Sequence, residues 1–277
     1  MKKDISNMLN LHQMFKAIIL SACHFFFQQS VLATDFSTVA NIYPSSKSVI
    51  GSQVSGRVDQ IYVEVGHEVK KGDPLLALDP TFFQIDVSKQ TTNLECSKIE
   101  HTDAEINYQR MKRLWEKNEG KTPSISLKKF EEAKTIYEKS LASLKGNEEE
   151  LRRVKKYLAE TIIKAPFDGV ITKRFVDLGE SIATAPTTAL FEIQSISPVY
   201  LEFSVPQVYL NLVHIGTPIQ FEIEGTDHSN YQAKIDLIHP CLDENTRSVR
   251  CRVVLSNENK KFLPGSFAKI MIKGNSL

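Results

Sequence analysis

The chain has few cysteines and no excess of charge of either sign. Each of these two features excludes some classes of protein. Its four cysteines, at positions 23, 96, 241 and 251, are too few and too scattered for a disulfide scaffold or a zinc cluster. With 34 basic and 33 acidic residues, the net charge is +1, and no basic stripe for binding nucleic acid stands out. Apolar residues make up 42% of the 277 residues, enough to bury a core in more than one domain.

The sequence also lacks the short motifs of the common enzyme classes. It contains no Gly-x-Ser-x-Gly string, no His-Glu-x-x-His string and no phosphate-binding loop. Its seven histidines do not have the spacing of metal ligands. We therefore predict a protein that is not an enzyme and that has no catalytic residues, no cofactor and no metal site.

The first 33 residues have the pattern of a signal peptide. Positive charge near the start precedes an apolar run over Ala17–Phe27, and small or aliphatic residues then suit cleavage after Ala33. An uncleaved membrane anchor is disfavoured by the polar residues that interrupt the run. A third reading is a lipobox that would lipidate Cys23. All three readings place the rest of the chain outside the cytoplasm.

An internal repeat is the most informative feature of the sequence. The string SGRVDQIYVEVGHEVKKGDPLLALD at 55–79 is matched by DGVITKRFVDLGESIATAPTTALFEI at 168–193. Each copy alternates apolar and polar residues, which predicts short strands with tight turns at glycine. The matched glycines, ten residues apart in each copy, are Gly56 and Gly66 in the first and Gly169 and Gly179 in the second.

Neither copy can cover its apolar face alone, but two similar copies can cover each other. We therefore predict one small β-sandwich from two halves, residues 49–80 and 162–195. Two unrelated hairpins that share a common turn spacing are the alternative, and six matched positions in fixed register disfavour it. The segment between the halves, residues 81–161, must leave the sandwich and return to it.

The inserted segment has the pattern of an α-helical hairpin. Proline-free runs over 81–117 and 126–161 follow seven-residue patterns that favour an antiparallel coiled coil, and Gly120 and Pro123 interrupt the pattern between them. A solvated hairpin without a partner is the alternative, which we discount because so long an exposed arm is rarely stable for its own sake. The first seam is predicted at Val87, Gln90, Leu94, Ser97, His101, Ala104, Tyr108, Met111 and Trp115. The second is predicted at Leu127, Phe130, Lys134, Tyr137, Leu141, Leu144, Glu148, Leu151, Lys155 and Leu158.

The remaining residues, 196–277, predict a small antiparallel β-barrel, and the segment 34–48 is expected to add a strand to it. The fold class is thus mainly β with a long α-helical hairpin. The predicted barrel strands are Pro198–Val205, Pro218–Glu224, Tyr231–His239, Ser248–Leu255 and Phe267–Ile272, with a short helix over Pro206–Val213.

These strings and their order resemble the membrane fusion protein family, the periplasmic adaptors of efflux pumps, over residues 48–275. The second repeat copy contains the family's A-P-F-D-G core, which includes Pro166. Asp243, Thr246 and Arg247 match the family's P-x-x-D-x-x-T-R hairpin. The resemblance implies a split lipoyl-like β-sandwich, an inserted antiparallel coiled coil and a small antiparallel β-barrel.

The resemblance also implies partners and a location. A family member links an inner-membrane transporter, here most similar to the resistance-nodulation-division type, to an outer-membrane channel. It acts in the periplasm, associated with the inner membrane, as a homo-oligomeric ring. The family's channel contact is similar to Arg110, Leu114 and Ser126, although twelve residues separate the last two, five more than the family's spacing.

Three questions stay open at the level of sequence. A biotinyl or lipoyl carrier shares the sandwich, but it needs a lysine at a tight turn, and the repeat turns read Val-Gly-His and Leu-Gly-Glu. An adaptor of an ABC-type secretion system fits the same motifs. Cys241 and Cys251 flank a predicted hairpin, and they either pair in an oxidising compartment or remain thiols.

Overall fold

The computed structural model describes residues 35–116, 124–225 and 230–273. The predicted signal peptide with Cys23 lies outside these residues, as do Gly120 and Pro123. The described residues divide into two compact units: a sandwich unit within Pro44–Pro198, and a barrel unit formed by residues 35–43 together with the described residues from Val199 onward.

None of the described helices has a stretch that is both long and apolar enough to cross a bilayer. In chain order the elements are β1 (Phe36–Gly51), β2 (Gly56–Ile61), β3 (Glu68–Val69), β4 (Pro74–Leu78), α1 (Thr81–Glu116), α2 (Leu127–Ala159), β5 (Ile162–Lys164), β6 (Gly169–Arg174), β7 (Ser181–Ile182), β8 (Ala189–Pro206), a 3-10 helix (Gln207–Leu212), β9 (Pro218–Ile223), β10 (Tyr231–Lys234), β11 (Leu237–Asp243), β12 (Ser248–Leu255) and β13 (Phe267–Ile272).

The two repeat copies close over one core, as their complementary apolar faces predict. Strand β2 pairs with β7, with Gly56 opposite Ile182, and β3 pairs with β6, with Val69 opposite Gly169. These two pairings are equivalent under exchange of the copies. Because alternate strand residues face inward, both copies contribute to a single apolar cluster. Its members include Val58, Val63, Ile171 and Val176.

Helix α1 begins where the first half of the sandwich ends. The Asp79 carboxylate accepts hydrogen bonds from the Thr81 backbone N–H at 3.0 Å and from its hydroxyl at 2.6 Å, which satisfies a free donor of the first turn. The predicted seam of α1 is confirmed, because the buried residues of this helix all belong to it. They are Gln90, Leu94, Ser97 and Ala104.

The predicted seam of α2 is wrong at alternate positions. Lys134 and Lys155 are exposed, whereas their preceding neighbours Ala133 and Val154 are buried. Glu148 is exposed as well. The residues of a seam are alternately three and four positions apart. The prediction placed the three-residue and four-residue steps in the opposite order, because Leu141 is more apolar than Ser140. The positions common to both versions are Phe130, Tyr137, Leu144, Leu151 and Leu158.

The barrel unit contains a sheet with the strand order β10-β9-β13-β1-β8-β12-β11. The expected strand from the N-terminal segment is β1, whose Phe36 lies opposite Ile272 of β13. Two predicted elements need correction: Tyr231–His239 forms two strands, β10 and β11, and the short helix is of the 3-10 type. The core of the unit contains Leu201, Phe203, Phe221, Val253 and Ile270.

Candidate docking sites

The two halves of the sandwich are held together by matching backbone hydrogen bonds. The Gly66 N–H donates to the Ile171 carbonyl at 2.8 Å, and the equivalent Gly179 N–H donates to the Val58 carbonyl at 3.0 Å. Each half therefore binds the other through an equivalent turn, which follows β2 in the first half and β6 in the second. This arrangement is a pseudo-twofold, and it explains why both copies need a turn at the same position.

A side chain closes each of these turns in the same way. Nδ1 of His67 accepts a hydrogen bond from the Glu64 N–H at 3.1 Å, and the Glu180 carboxylate accepts one from the Asp177 N–H at 2.9 Å. The glycine before each acceptor has a φ of +92° or +81°, which side-chain-bearing residues rarely adopt. Neither turn carries a lysine for a lipoyl or biotinyl group.

The string around Pro166 ties the second half of the sandwich to the first. The Ala165 N–H donates to the Asp73 carbonyl at 2.9 Å, and the Asp168 carboxylate accepts the Lys71 N–H at 2.7 Å. Pro166 itself is exposed between these two contacts. The string thus serves the fold and presents no reactive group.

Two of the three predicted tip residues share a face of α1. Arg110 and Leu114 are one helical turn apart and exposed, and Arg110 forms no ion pair with any described residue. Ser126 is the residue before α2, in an extended conformation, and its hydroxyl does not cap the helix. Among the described residues, the structure brings Ser126 into no hydrogen bond with the other two. The residues between the helices, 117–123, are outside the described part.

An aromatic ladder fills the distal part of the helix pair, and sequence reasoning did not single it out. Consecutive ring centroids along it lie 5.7, 6.0, 5.1 and 5.3 Å apart. Such contacts stabilise a helix pair beyond the area that they bury. The signal in the sequence is the seven-residue spacing of aromatic rings in both helices. The ladder runs in the order Trp115, Phe130, Tyr108, Tyr137 and His101.

The predicted barrel hairpin is a tight turn stabilised by its own side chains. Oδ1 of Asp243 accepts the backbone N–H groups of Asn245 and Thr246, each at 2.9 Å. The hydrogen bond from the Thr246 backbone N–H is the main cause that lowers the pKa of Asp243. Arg247 has a φ of +48°, and its N–H donates to the Asp243 carbonyl at 2.7 Å. Its guanidinium is exposed and makes no ion pair with a described residue.

The sandwich unit contains a buried carboxylate that the sequence did not reveal. The Glu192 side chain is 6% exposed and lies 3.4 Å from both Lys47 and Lys173. Burial raises the pKa of Glu192, but hydrogen bonds from Gln194 and Thr172 and the charge of Lys47 outweigh it and hold the pKa at about 2. The charged form is therefore the one that the fold stabilises.

The described cysteines are all free thiols. Cys251 is buried in the barrel core, and burial raises the pKa of its thiol to about 11. Cys241 and Cys96 are exposed. Within the described ranges no three potential metal ligands form a group.

Two family models match consecutive parts of the chain. The model of a barrel-sandwich hybrid domain of resistance-nodulation-division (RND) membrane fusion proteins matches residues 46–194. The model of a CusB-like beta-barrel domain matches residues 198–276. The first match covers more than half of the chain, and together the matches follow the sandwich, the helices and the barrel.

Two curated relatives and one solved structure resemble the chain over most of its length. Multidrug resistance protein MdtA of Photorhabdus laumondii is 22% identical over 86% of this chain and 60% of its own length. Cobalt-zinc-cadmium resistance protein CzcB of Cupriavidus metallidurans is 25% identical over 80% of this chain and 41% of its own. The chain thus spans about half the length of these relatives. The crystal structure of MacA from Actinobacillus actinomycetemcomitans shares the fold, with a TM-score of 0.63, 22% identity, and coverage of 89% of this chain and 80% of that one.

Proposed function

Because this chain belongs to the RND membrane fusion protein family, we propose that it is a periplasmic adaptor that links an inner-membrane transporter to an outer-membrane channel. Its role is mechanical: it binds both partners and contributes to a conduit for drugs or other solutes. It performs no catalysis and needs no cofactor. It works in the periplasm beside the inner membrane, after export directed by the N-terminal residues, either as a cleaved form that begins after Ala33 or as a form anchored by a lipid on Cys23.

One observation carries the proposal: the sandwich closes on itself and projects the helix pair away from it. The Leu78 N–H donates to the Thr161 carbonyl at 2.8 Å, so the chain leaves and re-enters the sandwich at adjacent points. Between these points α1 contains 36 residues, about 54 Å of helix. We interpret the pair as an antiparallel coiled coil. A long arm on a rigid base suits a protein that spans the gap between two partners.

The distal end of the arm is the proposed channel-docking site. The Arg110 guanidinium forms no ion pair within residues 35–116, 124–225 and 230–273, and Leu114 offers a side chain that is 37% exposed on the same helical face. Ser126 would contribute from the start of α2. The aromatic ladder supports the site, because stacked rings stiffen the helices that carry these side chains.

Copies of the chain are proposed to surround the conduit as a ring. A ring forms when one surface of each copy contacts a different surface of the next and the rotation closes. The sandwich units, the barrel units and the helix pairs would each contribute contacts between neighbouring copies. An RND-type transporter is the favoured inner-membrane partner, in keeping with the family of the sandwich domain.

Export from cells tests the proposed function. We expect a deletion strain to lose resistance to at least one compound in a panel of drugs and divalent metals. The wild-type gene should restore resistance, whereas Arg110→Asp should not, because the reversed charge repels the proposed channel contact. Arg152→Asp makes the same charge change near the base of the arm and should restore resistance. Unchanged efflux in the deletion strain would refute the proposed function, and equal rescue by both variants would refute the tip site.

A further inference from the structure

Helix α2 contains a glycine that its surroundings do not require. Gly146 lies inside the helix, which runs unbroken over Leu127–Ala159, and a Cβ at this position would meet no atom within 4 Å. Its φ also lies outside the positive range that favours glycine. Because glycine in a helix interior weakens the helix relative to alanine, its effect here is to add backbone freedom.

Beside Gly146, polar side chains take the place of apolar ones in the seam. The Asn147 amide donates to the Ser97 hydroxyl and accepts a hydrogen bond of 3.1 Å from Nε2 of Gln90. Nδ2 of Asn93 in turn donates to Oε1 of Gln90 at 3.1 Å. Gln90 and Ser97 are the only buried polar residues of the described helices. We call Gln90, Ser97 and Asn147 the polar layer.

Helix α1 is locally weakened near the same layer. The hydroxyls of Thr91 and Thr92 donate to the carbonyls of Val87 and Ser88, at 2.8 and 3.2 Å. Such bonds to the carbonyl four residues earlier slightly destabilise helices and often bend them. Thr91, Thr92 and Asn93 also have lower helix propensities than most residues with unbranched side chains. Both helices of the arm are therefore weak in the same part of their length.

Apolar and aromatic contacts hold the arm on either side of the contact between Ser97 and Asn147. On the side of the tip, the aromatic ladder begins with His101 stacked on Tyr137. On the side of the sandwich lies a buried apolar cluster of Leu94, Leu151 and Val154, with the half-buried Leu144 packed against it. Bending within the ladder or the cluster would expose apolar surface to water. Bending at the polar layer exposes mainly amide and hydroxyl groups, which water can satisfy.

From these observations we propose that the polar layer is a hinge that divides the arm into two stiff segments. Helix α1 continues from Ser97 to Glu116, about 28 Å. A bend of about 20° at the layer would therefore move the tip by about 10 Å. Arg110 and Leu114 would move with the distal segment while the sandwich stays in place. The hinge lets the tip adjust to the position of the channel, so this inference rests on the proposed function.

Hydrogen exchange of backbone amides tests the local weakness of α2. In the intact protein, amides of residues 145–148 should exchange about tenfold faster than those of residues 137–140 and 151–154. Gly146→Ala should slow the exchange of residues 145–148 about fivefold, the effect of this substitution in a helix interior. Equal protection of the three segments in the wild-type protein would overturn the proposal.

Distances between two spin labels measure how far the arm bends. In protein carrying Cys96→Ser and Cys241→Ser, which removes the exposed described thiols, labels at Asp59→Cys in the sandwich and Lys129→Cys near the tip span the polar layer. Dipolar spectroscopy in dilute solution should give a broad distribution of distances for this pair. A control pair, Glu100→Cys with Lys129→Cys, lies wholly on the distal side and should give a narrow one.

Removing the polar layer should narrow the distribution of the spanning pair to nearly that of the control pair. The variant for this test combines Gly146→Ala with Gln90→Leu, Ser97→Ala and Asn147→Leu. A spanning pair that is as narrow as the control in the wild-type arm would overturn the proposal. So would a broad distribution that keeps its width when the layer is replaced.

Export shows whether the hinge serves docking. Gly146→Ala should raise the midpoint of thermal unfolding and yet reduce efflux, a combination that a merely structural glycine would not produce. Thr135→Ala is the matched control: it replaces another weak helix former, whose hydroxyl bonds the Glu131 carbonyl at 2.9 Å. It should raise the midpoint and leave efflux at the wild-type level.

The outcomes separate the hinge from the proposed function. Wild-type efflux in the Gly146→Ala strain would show that the hinge plays no part in docking and would overturn its proposed role. Full efflux in the deletion strain would refute the proposed function, whereas the exchange and spin-label results would still decide whether the arm bends at the polar layer.

Discussion

At the scale of single residues, equivalent glycines of the two repeat copies have different surroundings. A Cβ at Gly169 would lie 2.5 Å from the Gln194 carbonyl oxygen, a backbone atom that moves only with its strand. A Cβ at Gly56 would meet nothing closer than the Leu78 side chain at 3.5 Å, an ordinary contact. Both repeat copies thus have glycine at this position, but only Gly169 is required there by its close neighbours.

This difference leads to a paired prediction. Gly169→Ala should lower the free energy of unfolding by about 1–3 kcal/mol, because the sheet must shift to admit the methyl group. Gly56→Ala should change it by less than about 0.5 kcal/mol. Urea unfolding followed by circular dichroism measures both. Equal losses in the two variants would show that the steric argument is wrong.

The buried Glu192 carboxylate gives a second prediction at this scale. Replacing it by Gln removes the charge that Lys47 and Lys173 stabilise, and should cost about 1–3 kcal/mol at pH 7. The pKa of Glu192 is lowered in the fold to about 2, from a usual value of 4.5. Its contribution to stability is thus present above pH 4.5 and lost as pH falls toward 2.

Thermal unfolding between pH 2 and pH 7 checks the sign of this effect. The difference in stability between wild type and Glu192→Gln should shrink as pH falls from 4.5 toward 2. Exposed Glu100→Gln is the control and should differ from wild type by little across the range. A difference that stays constant with pH would contradict the assignment.

At the scale of elements, every second position of the α2 seam lies one residue before the position that the sequence predicted. Ala133 is 4% exposed, whereas Lys134 beside it faces solvent and forms an ion pair with Glu138 at 3.8 Å. Exposed pairs of this kind contribute little to stability. Buried positions of the seam should therefore tolerate charge much less than their immediate neighbours.

Ala133→Glu and Lys134→Glu place the same side chain at adjacent positions. The first should lower the free energy of unfolding of the helix pair by about 2 kcal/mol or more, because it buries a charge beside α1. The second should change it by less than about 0.5–1 kcal/mol. Helical signal during denaturation measures the difference, and a larger loss for Lys134→Glu would support the reversed phase instead.

At the scale of the whole molecule, the two halves of the sandwich supply the buried residues of its core, and Phe83 of α1 packs against that core. Both halves contribute to one apolar cluster, and the chain ends that carry the arm meet at the Leu78–Thr161 hydrogen bond. Replacing residues 82–159 with a short Gly-Ser linker should leave the sandwich folded, since a short loop can join adjacent ends. The same variant should lose export, because the proposed docking site is gone.

Protection of backbone amides from hydrogen exchange tests this expectation. Amides of Gly66 and Gly179 should remain protected in the linker variant, because their acceptors belong to the opposite half. A variant that ends before Thr161 lacks the second half and should lose protection at Gly66. Loss of protection in the linker variant would mean that the arm, and not the paired halves, holds the sandwich together.

The sequence alone predicted most of the elements and their order, because these depend on periodicity and on glycine and proline, which act locally. The helices were predicted over 81–117 and 126–161 and extend over Thr81–Glu116 and Leu127–Ala159. The pairing of the repeat halves also followed from sequence, since each copy has an apolar face that only the other could cover.

Other features were decided by tertiary structure, because they depend on which distant residues become neighbours. Packing against α1 decides which residues of α2 form the seam. From the sequence of α2 alone, two sets of positions were possible, and both contained Phe130 and Tyr137. The low pKa of Glu192 depends on hydrogen bonds from Gln194 and Thr172 and on the charge of Lys47, and the last two residues lie far away along the chain. Local pattern specifies elements, whereas charge environments and docking surfaces arise only when the folded chain brings distant positions together.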